Sequence, residues 1–183
     1  MTASASDISS LRSLLGEATR RFDATPRLRD GAPAVIRLGF DGAARWTAEA
    51  LAELRGATVR RLPKGAVRLG VIKYGLATGA ALTVLAAAFV LGRPLLIPGV
   101  VVAFYLVEST AAFVFPAFAD GDHTPFATSR RLVRESGGLV LVASRMIAIA
   151  VSMVLGGFFG RGFVRSWCIG CLAVVLWYER LTR

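Results

Sequence analysis

Three charged side chains lie inside long apolar runs of this 183-residue sequence. Glu108 and Arg145 fall at similar depths on consecutive runs, and Lys73 lies near the start of the first run. An unpaired charge in hydrocarbon is costly, so such residues pair with one another or line a polar pathway. The sequence therefore predicts a pair between Glu108 and Arg145. The pair is either a packing contact or a site for a proton, an ion or a lipid headgroup.

The two cysteines form a second candidate site, because Cys168 and Cys171 are three residues apart. On a helix this spacing places both thiols on one face, where they can form a redox pair. A membrane thiol oxidoreductase needs a second pair to relay electrons, and the sequence has no further cysteine. The competing interpretation is burial as small apolar side chains.

Other patterns that carry chemistry are absent from the sequence. Asp120, Asp122 and His123 are permissive for a metal or a headgroup, but ordinary turn chemistry explains Asp and Gly at these positions. No Ser-His-Asp set, phosphate-binding Gly-rich loop or His-Glu-x-x-His motif occurs. We therefore expect no metal and no cofactor, and the sequence favours a protein that is not an enzyme.

The elements that must position these residues follow from the distribution of apolar side chains. Hydrophobic residues make up 55% of the chain and mean hydropathy is +0.59. Because about 20 residues cross the hydrocarbon core, the long runs predict membrane spans. The predicted fold is all-α: an integral membrane bundle of about four transmembrane helices with a short basic tail at 179–183. The transmembrane domain covers 69–178, with spans at 69–92, 94–118, 139–160 and 162–178.

Residues 1–68 are predicted to form a basic, amphipathic helical region at the cytosolic surface. Apolar residues recur at spacings of three and four, which is typical of one helix face. They are Ile8, Leu11, Leu15, Ala18 and Phe22. A second helix is expected over 41–55. Four basic residues then precede the first span and are expected to contact anionic lipid headgroups: Arg60, Arg61, Lys64 and Arg68.

The net charge of +10 is assigned to the membrane surface and not to nucleic acid, because no nucleic-acid-binding motif accompanies it. Basic residues concentrate in 1–68, in the loop at 119–137 and at the C-terminus. The turns between spans contain fewer. The positive-inside rule then predicts that both termini are cytoplasmic. A bacterial inner membrane is the expected location, with an organelle inner membrane as the alternative.

Two Gly-x-x-x-Gly motifs occur within the apolar runs. Gly75 and Gly79 form the first, and Gly156 and Gly160 form the second. Small residues four apart allow membrane helices to approach closely. With packing motifs present and catalytic sets absent, we expect a non-catalytic auxiliary or scaffolding subunit of a membrane complex, or a homo-oligomer. The alternatives are a small oligomeric channel or transporter using Glu108 and Arg145, and a thiol oxidoreductase using Cys168 and Cys171.

Overall fold

A computed structural model describes residues 5–183, without the side chains of residues 5–10 and Arg161. The regular secondary structure of the described chain is helical, without strands, so the predicted all-α class is confirmed. Residues 1–4 of the predicted N-terminal region and the side chain of Ile8 lie outside the described part.

The N-terminal region consists of three helices: α1 (Ala5–Ala24), α2 (Pro26–Arg37) and α3 (Gly39–Arg55). Pro26 begins α2, where its missing N–H costs no hydrogen bond. Gly56 ends α3 in the left-handed conformation with a φ of 60°. On α1 the side chains of Ala18 and Phe22 are buried. The apolar face of α1 therefore packs on the protein itself.

The rest of the chain, from residue 66 onward, contains six further α-helices. Its helices are α4 (Ala66–Val90), α5 (Ile97–Thr110), α6 (Val114–Ala119), α7 (Pro125–Glu135), α8 (Leu139–Gly156) and α9 (Phe163–Thr182). A π-helical turn over Gly157–Arg161 joins α8 to α9.

Three helical segments are long and apolar enough to cross a membrane: Ala66–Val90, Pro94–Ala119 and Leu139–Gly160. Only 22%, 22% and 28% of their apolar windows are buried within the chain. Exposed side chains such as Leu76 and Val102 cover the remaining surface. An apolar surface of this extent is suited to lipid or to other membrane helices.

The predicted fourth span over 162–178 is not among these segments. It forms most of α9, whose interior side chains, including Leu172 and Val175, are buried in the protein core. Charged residues at both ends bind the N-terminal region. Arg165 lies 2.7 Å from Asp23, and Arg180 lies 2.6 Å from Glu17. A short apolar run is equally typical of a buried core helix, and α1 and α3 cover this one.

Close helix contacts depend on glycines at two crossings. A methyl group added at Gly70 of α4 would lie 2.3 Å from the Phe40 ring on α3. One added at Gly170 of α9 would lie 2.3 Å from the sulfur of Met153 on α8. Such distances are far below van der Waals contact. The absence of a side chain at these glycines therefore sets how closely α3 meets α4 and α8 meets α9.

Candidate functional site

A buried ion pair joins the first two candidate spans, Ala66–Val90 and Pro94–Ala119. Lys73 Nζ on α4 lies 3.2 Å from Glu108 Oε1 on α5, and the two side chains are 5% and 8% exposed. Lys73 lies on the small contact face of α4, together with Ala77 and Ala81, and Glu108 meets it from α5. Because each charge compensates the other, α4 and α5 can bury both inside an apolar environment.

Aromatic rings surround the Lys73 ammonium. Its Nζ lies 5.1 Å from the centre of the Tyr74 ring and 5.9 Å from that of Phe115. Phe40 stacks on both rings, with centroid distances of 5.7 Å to Tyr74 and 6.2 Å to Phe115. An ammonium beside ring faces gains cation–π attraction. The ion pair is thus fixed by residues from α3, α4, α5 and α6.

The second span is broken two residues after Glu108. Helix α5 ends at Thr110, and α6 begins at Val114. Ser129 of α7, which is fully buried, bridges the break. Its hydroxyl donates to the Thr110 carbonyl at 3.1 Å and accepts from the Phe113 N–H at 3.1 Å. Non-helical backbone within a span is tolerated where such partners satisfy it.

The structure pairs Glu108 with Lys73 and not, as the sequence analysis predicted, with Arg145. Its guanidinium lies over the Trp177 ring of α9, 5.1 Å from the ring centre. Glu108 pairs with Lys73 because α4 and α5 form an antiparallel hairpin with extensive contact. Lys73 lies only seven residues after the start of α4. The sequence could therefore not distinguish a paired lysine from one extending to the membrane surface.

The two cysteines are free thiols. Cys168 is 1% exposed and contributes to the main hydrophobic core, and Cys171 packs at the edge of that core. Redox-active cysteines are exposed and lie beside positive charge that favours the thiolate. The position of Cys168 is instead typical of a small apolar side chain, so the geometry does not favour a thiol oxidoreductase.

Arg55 connects three distant parts of the chain. From the end of α3 its guanidinium donates to both carboxylate oxygens of Asp120, at 2.5 and 3.0 Å. The same group donates to Glu179 on α9 at 2.8 Å. Tyr178 adds a hydrogen bond to Asp120 at 3.1 Å. Sequence reasoning assigned Asp120 to a turn and missed this network, because its members are 65 and 124 residues from Arg55.

The network lowers the pKa of both carboxyl groups. Hydrogen bonding from Arg55 holds the pKa of Asp120 below its usual value, although burial acts in the opposite direction. At Glu179, burial raises the pKa, but hydrogen bonds from Arg55 and Arg183 outweigh it, so the net pKa is lowered. Both carboxylates are therefore ionised at neutral pH and stabilise the folded chain through Arg55.

The predicted headgroup-contacting residues lie at the start of α4. Arg61, Lys64 and Arg68 are exposed there. Arg60 is also exposed, and it donates to the Asp120 carbonyl at 2.6 Å. In the loop between α6 and α7, which contains Asp120, the Asp122 carboxylate accepts a hydrogen bond from the Thr124 N–H at 2.7 Å. This contact is ordinary turn chemistry. In the described residues, no group of three potential ligands could hold a metal ion.

The two glycine motifs are used differently. A methyl group at Gly75 or Gly79 would meet nothing within 4 Å among the described residues, so this face of α4 is uncovered. At Gly156 it would lie 2.7 Å from the Ser166 hydroxyl oxygen, which makes Gly156 an internal contact between α8 and α9. Gly160 has a φ of +80° and belongs to the turn between α8 and α9. Gly156 and Gly160 therefore do not lie on one continuous helix face.

No family model, curated protein or solved structure matches this chain. The functional argument therefore rests on the geometry of its own residues. That geometry comprises a neutralised charge pair, a satisfied helix break and one uncovered small-residue face. Its polar groups hold helices together.

We predict that Ser129→Ala destabilises the protein by about 1–3 kcal/mol, because it leaves the Phe113 N–H and the Thr110 carbonyl without their buried partner. The matched control is Ser109→Ala. Ser109 is equally buried, but its hydroxyl has no partner among the described residues, so its loss should change stability little. Thermal unfolding in detergent, followed by tryptophan fluorescence, measures both variants. Equal destabilisation by the two variants would show that Ser129 does not support the break.

Arg55→Gln is expected to destabilise the protein at neutral pH by about 2 kcal/mol, because it leaves two carboxylates without their shared partner. In the wild type, lowered folded-state pKa values give stability that is complete above the unfolded values near 4. This stability is lost as pH falls through the folded values. The variant should therefore lose less stability than the wild type between about pH 5 and pH 2.

The pH dependence is measured as the thermal unfolding midpoint in detergent at a series of pH values. Arg131→Gln serves as the control, since Arg131 and Glu135 form an exposed pair at 3.8 Å. That substitution should leave the profile unchanged. Parallel profiles for the wild type and Arg55→Gln would exclude the proposed role of the network in acid stability.

Proposed function

We propose that this chain is a non-catalytic auxiliary or scaffolding subunit of a membrane protein complex. The uncovered glycine face of α4 carries the proposal. Gly75 and Gly79 lower the stability of α4 and do not improve its contact with lipid. This loss of stability is offset only where another helix approaches closely. Within the chain, α4 packs on α5 through its other face, which contains Ala77 and Ala81. The proposed occupant of the glycine face is a transmembrane helix of another subunit.

A contact between the C-terminus and the N-terminal region supports a common side for both termini. With three candidate spans, this requires that α9, although enclosed by other helices, returns across the thickness of the bundle. Arg183 at the C-terminus donates to the Leu54 carbonyl at 3.5 Å, and Leu54 lies near the end of the N-terminal region. Leu54 precedes α4 in the chain, and basic residues concentrate between the two. Under the positive-inside rule, we propose that this side is cytoplasmic and that the membrane is a bacterial inner membrane. The positive-inside argument applies equally to the alternative, an organelle inner membrane.

We predict that Gly75→Leu/Gly79→Leu reduces recovery of the partner subunit at least tenfold, because the added side chains hold the helices apart. The measurement is the subunit inventory and mass after affinity purification in mild detergent. Val154→Leu is the control, since Val154 is 52% exposed on α8 and its replacement adds bulk to a different apolar surface. Circular dichroism checks that each variant keeps its helix content.

The wild-type result also tests the function directly. A stoichiometric partner chain supports the hetero-complex. A second copy of the chain as the only partner replaces it with a self-assembling scaffold. A stable lone monomer contradicts the proposal.

The second candidate function is transport through a small oligomer. The observation that favours it is the Lys73–Glu108 pair beside the break in the second span, because charged residues and discontinuous helices occur together in transporter sites. Arg145 lies instead against Trp177, so the candidate pathway centres on Lys73 and Glu108.

Glu108→Gln separates the two functions. If the protein is a scaffold, we expect neither the wild type nor the variant to carry protons or potassium ions into liposomes. The variant should be less stable by roughly 3 kcal/mol, because it leaves Lys73 as an unpaired buried charge. The control Lys73→Met/Glu108→Leu removes both charges and should recover most of this loss. A wild-type flux that Glu108→Gln abolishes, with assembly intact, would favour transport.

A further inference from the structure

A groove of about 280 Å³ lies between α3 and the start of α4. Asp41 and Arg45 of α3 line one side, and Leu62, Pro63 and Ala66 line the other. Its volume is close to the lower end of small-ligand sites. The groove therefore combines one acidic and one basic side chain with an apolar wall.

Both charges of the groove are available to a ligand. Asp41 and Arg45 are exposed and lie one helical turn apart, a spacing that commonly allows an ion pair. Neither forms an ion pair or side-chain hydrogen bond with any residue in the described part of the chain. The groove thus presents separate positive and negative groups.

The position of the groove along α4 points to the headgroup layer of a bilayer. Ala66 is both a lining residue and the first residue of the span. Polar headgroups lie at the ends of transmembrane segments. Lys64 and Arg68 flank this point and are exposed. Beyond it, Val67 and Val71 form an exposed apolar surface on α4, 49% and 58% accessible, along which an acyl chain can lie.

We propose that this groove binds the zwitterionic headgroup of a phospholipid with a primary ammonium, of the phosphoethanolamine class. Arg45 contacts the phosphate, and Lys64 and Arg68 add positive potential around it. Asp41 accepts hydrogen bonds from the ammonium, whose three N–H groups suit a carboxylate. This inference goes beyond the scaffolding function and does not depend on it.

The lining residues discriminate among headgroups. A quaternary ammonium binds best in aromatic cages, and the lining contains no aromatic ring. An anionic headgroup without an ammonium leaves Asp41 without a partner and adds repulsion. The primary ammonium is therefore the chemistry that uses both Asp41 and Arg45.

The test uses the full chain in detergent micelles, with added phosphatidylethanolamine, phosphatidylcholine or phosphatidylglycerol of identical acyl chains. Native mass spectrometry measures retained lipid, and thermal unfolding measures stabilisation. We expect the wild type to bind phosphatidylethanolamine at least fivefold more tightly than the other two. Asp41→Asn should remove this preference, and Arg45→Gln should weaken binding of all three. Arg131→Gln, an exposed site on α7, should change nothing.

A second series needs no protein variant. Lipids with zero, one, two or three methyl groups on the headgroup nitrogen should bind the wild type progressively more weakly, since each methyl removes a donor to Asp41. Equal binding across this series overturns the proposal, whatever the folding of the variants. Tighter binding of phosphatidylglycerol, unaffected by Asp41→Asn, also overturns it, because it indicates general attraction to basic residues only.

Discussion

The burial of Lys73 against Glu108 is the constraint around which the long apolar helices of this protein are organised. Each charge alone would strongly destabilise an apolar helix, so the pair fixes the register of α4 against α5. The contact face of α4 is otherwise made of small side chains, which lets α5 approach closely. Phe40 of α3 reaches the same place because Gly70 leaves room for its ring. One ion pair thereby links the spans to the N-terminal helices.

A second polar network performs the same task outside the spans. Arg55 donates hydrogen bonds to Asp120, which follows α6, and to Glu179 near the end of α9. It therefore joins the end of α3 to the ends of α6 and α9. Ser129 supports the helix break from α7. These groups are satisfied by the chain itself. Two surface features lack a partner among the described residues: the glycine face of α4 and the two charges of the groove beside Ala66. The proposals for a partner helix and for a lipid headgroup both concern these surfaces.

The difference between helices with an exposed apolar surface and helices buried in the core explains where apolar patterning is ambiguous. The run over 162–178 has the composition of a short span, yet it forms a core helix covered by α1 and α3. Its terminal charges bind Asp23 and Glu17 of α1. Apolar composition indicates that a helix is removed from water. It does not indicate whether lipid or protein surrounds the helix.

The sequence by itself determined the helical class, three apolar helices long enough to cross a membrane and the basic segment before the first of them, because these follow from local composition and periodicity. Only the tertiary structure decided the partner of Glu108, the burial of Cys168 and the network around Arg55. The burial of 162–178 in a core helix also depends on the tertiary structure. These features depend on which helices meet, and contacts between residues far apart in the chain are not encoded in any local pattern. Gly75 and Gly79 illustrate both levels: their spacing is visible in the sequence, and their exposure is a property of the fold.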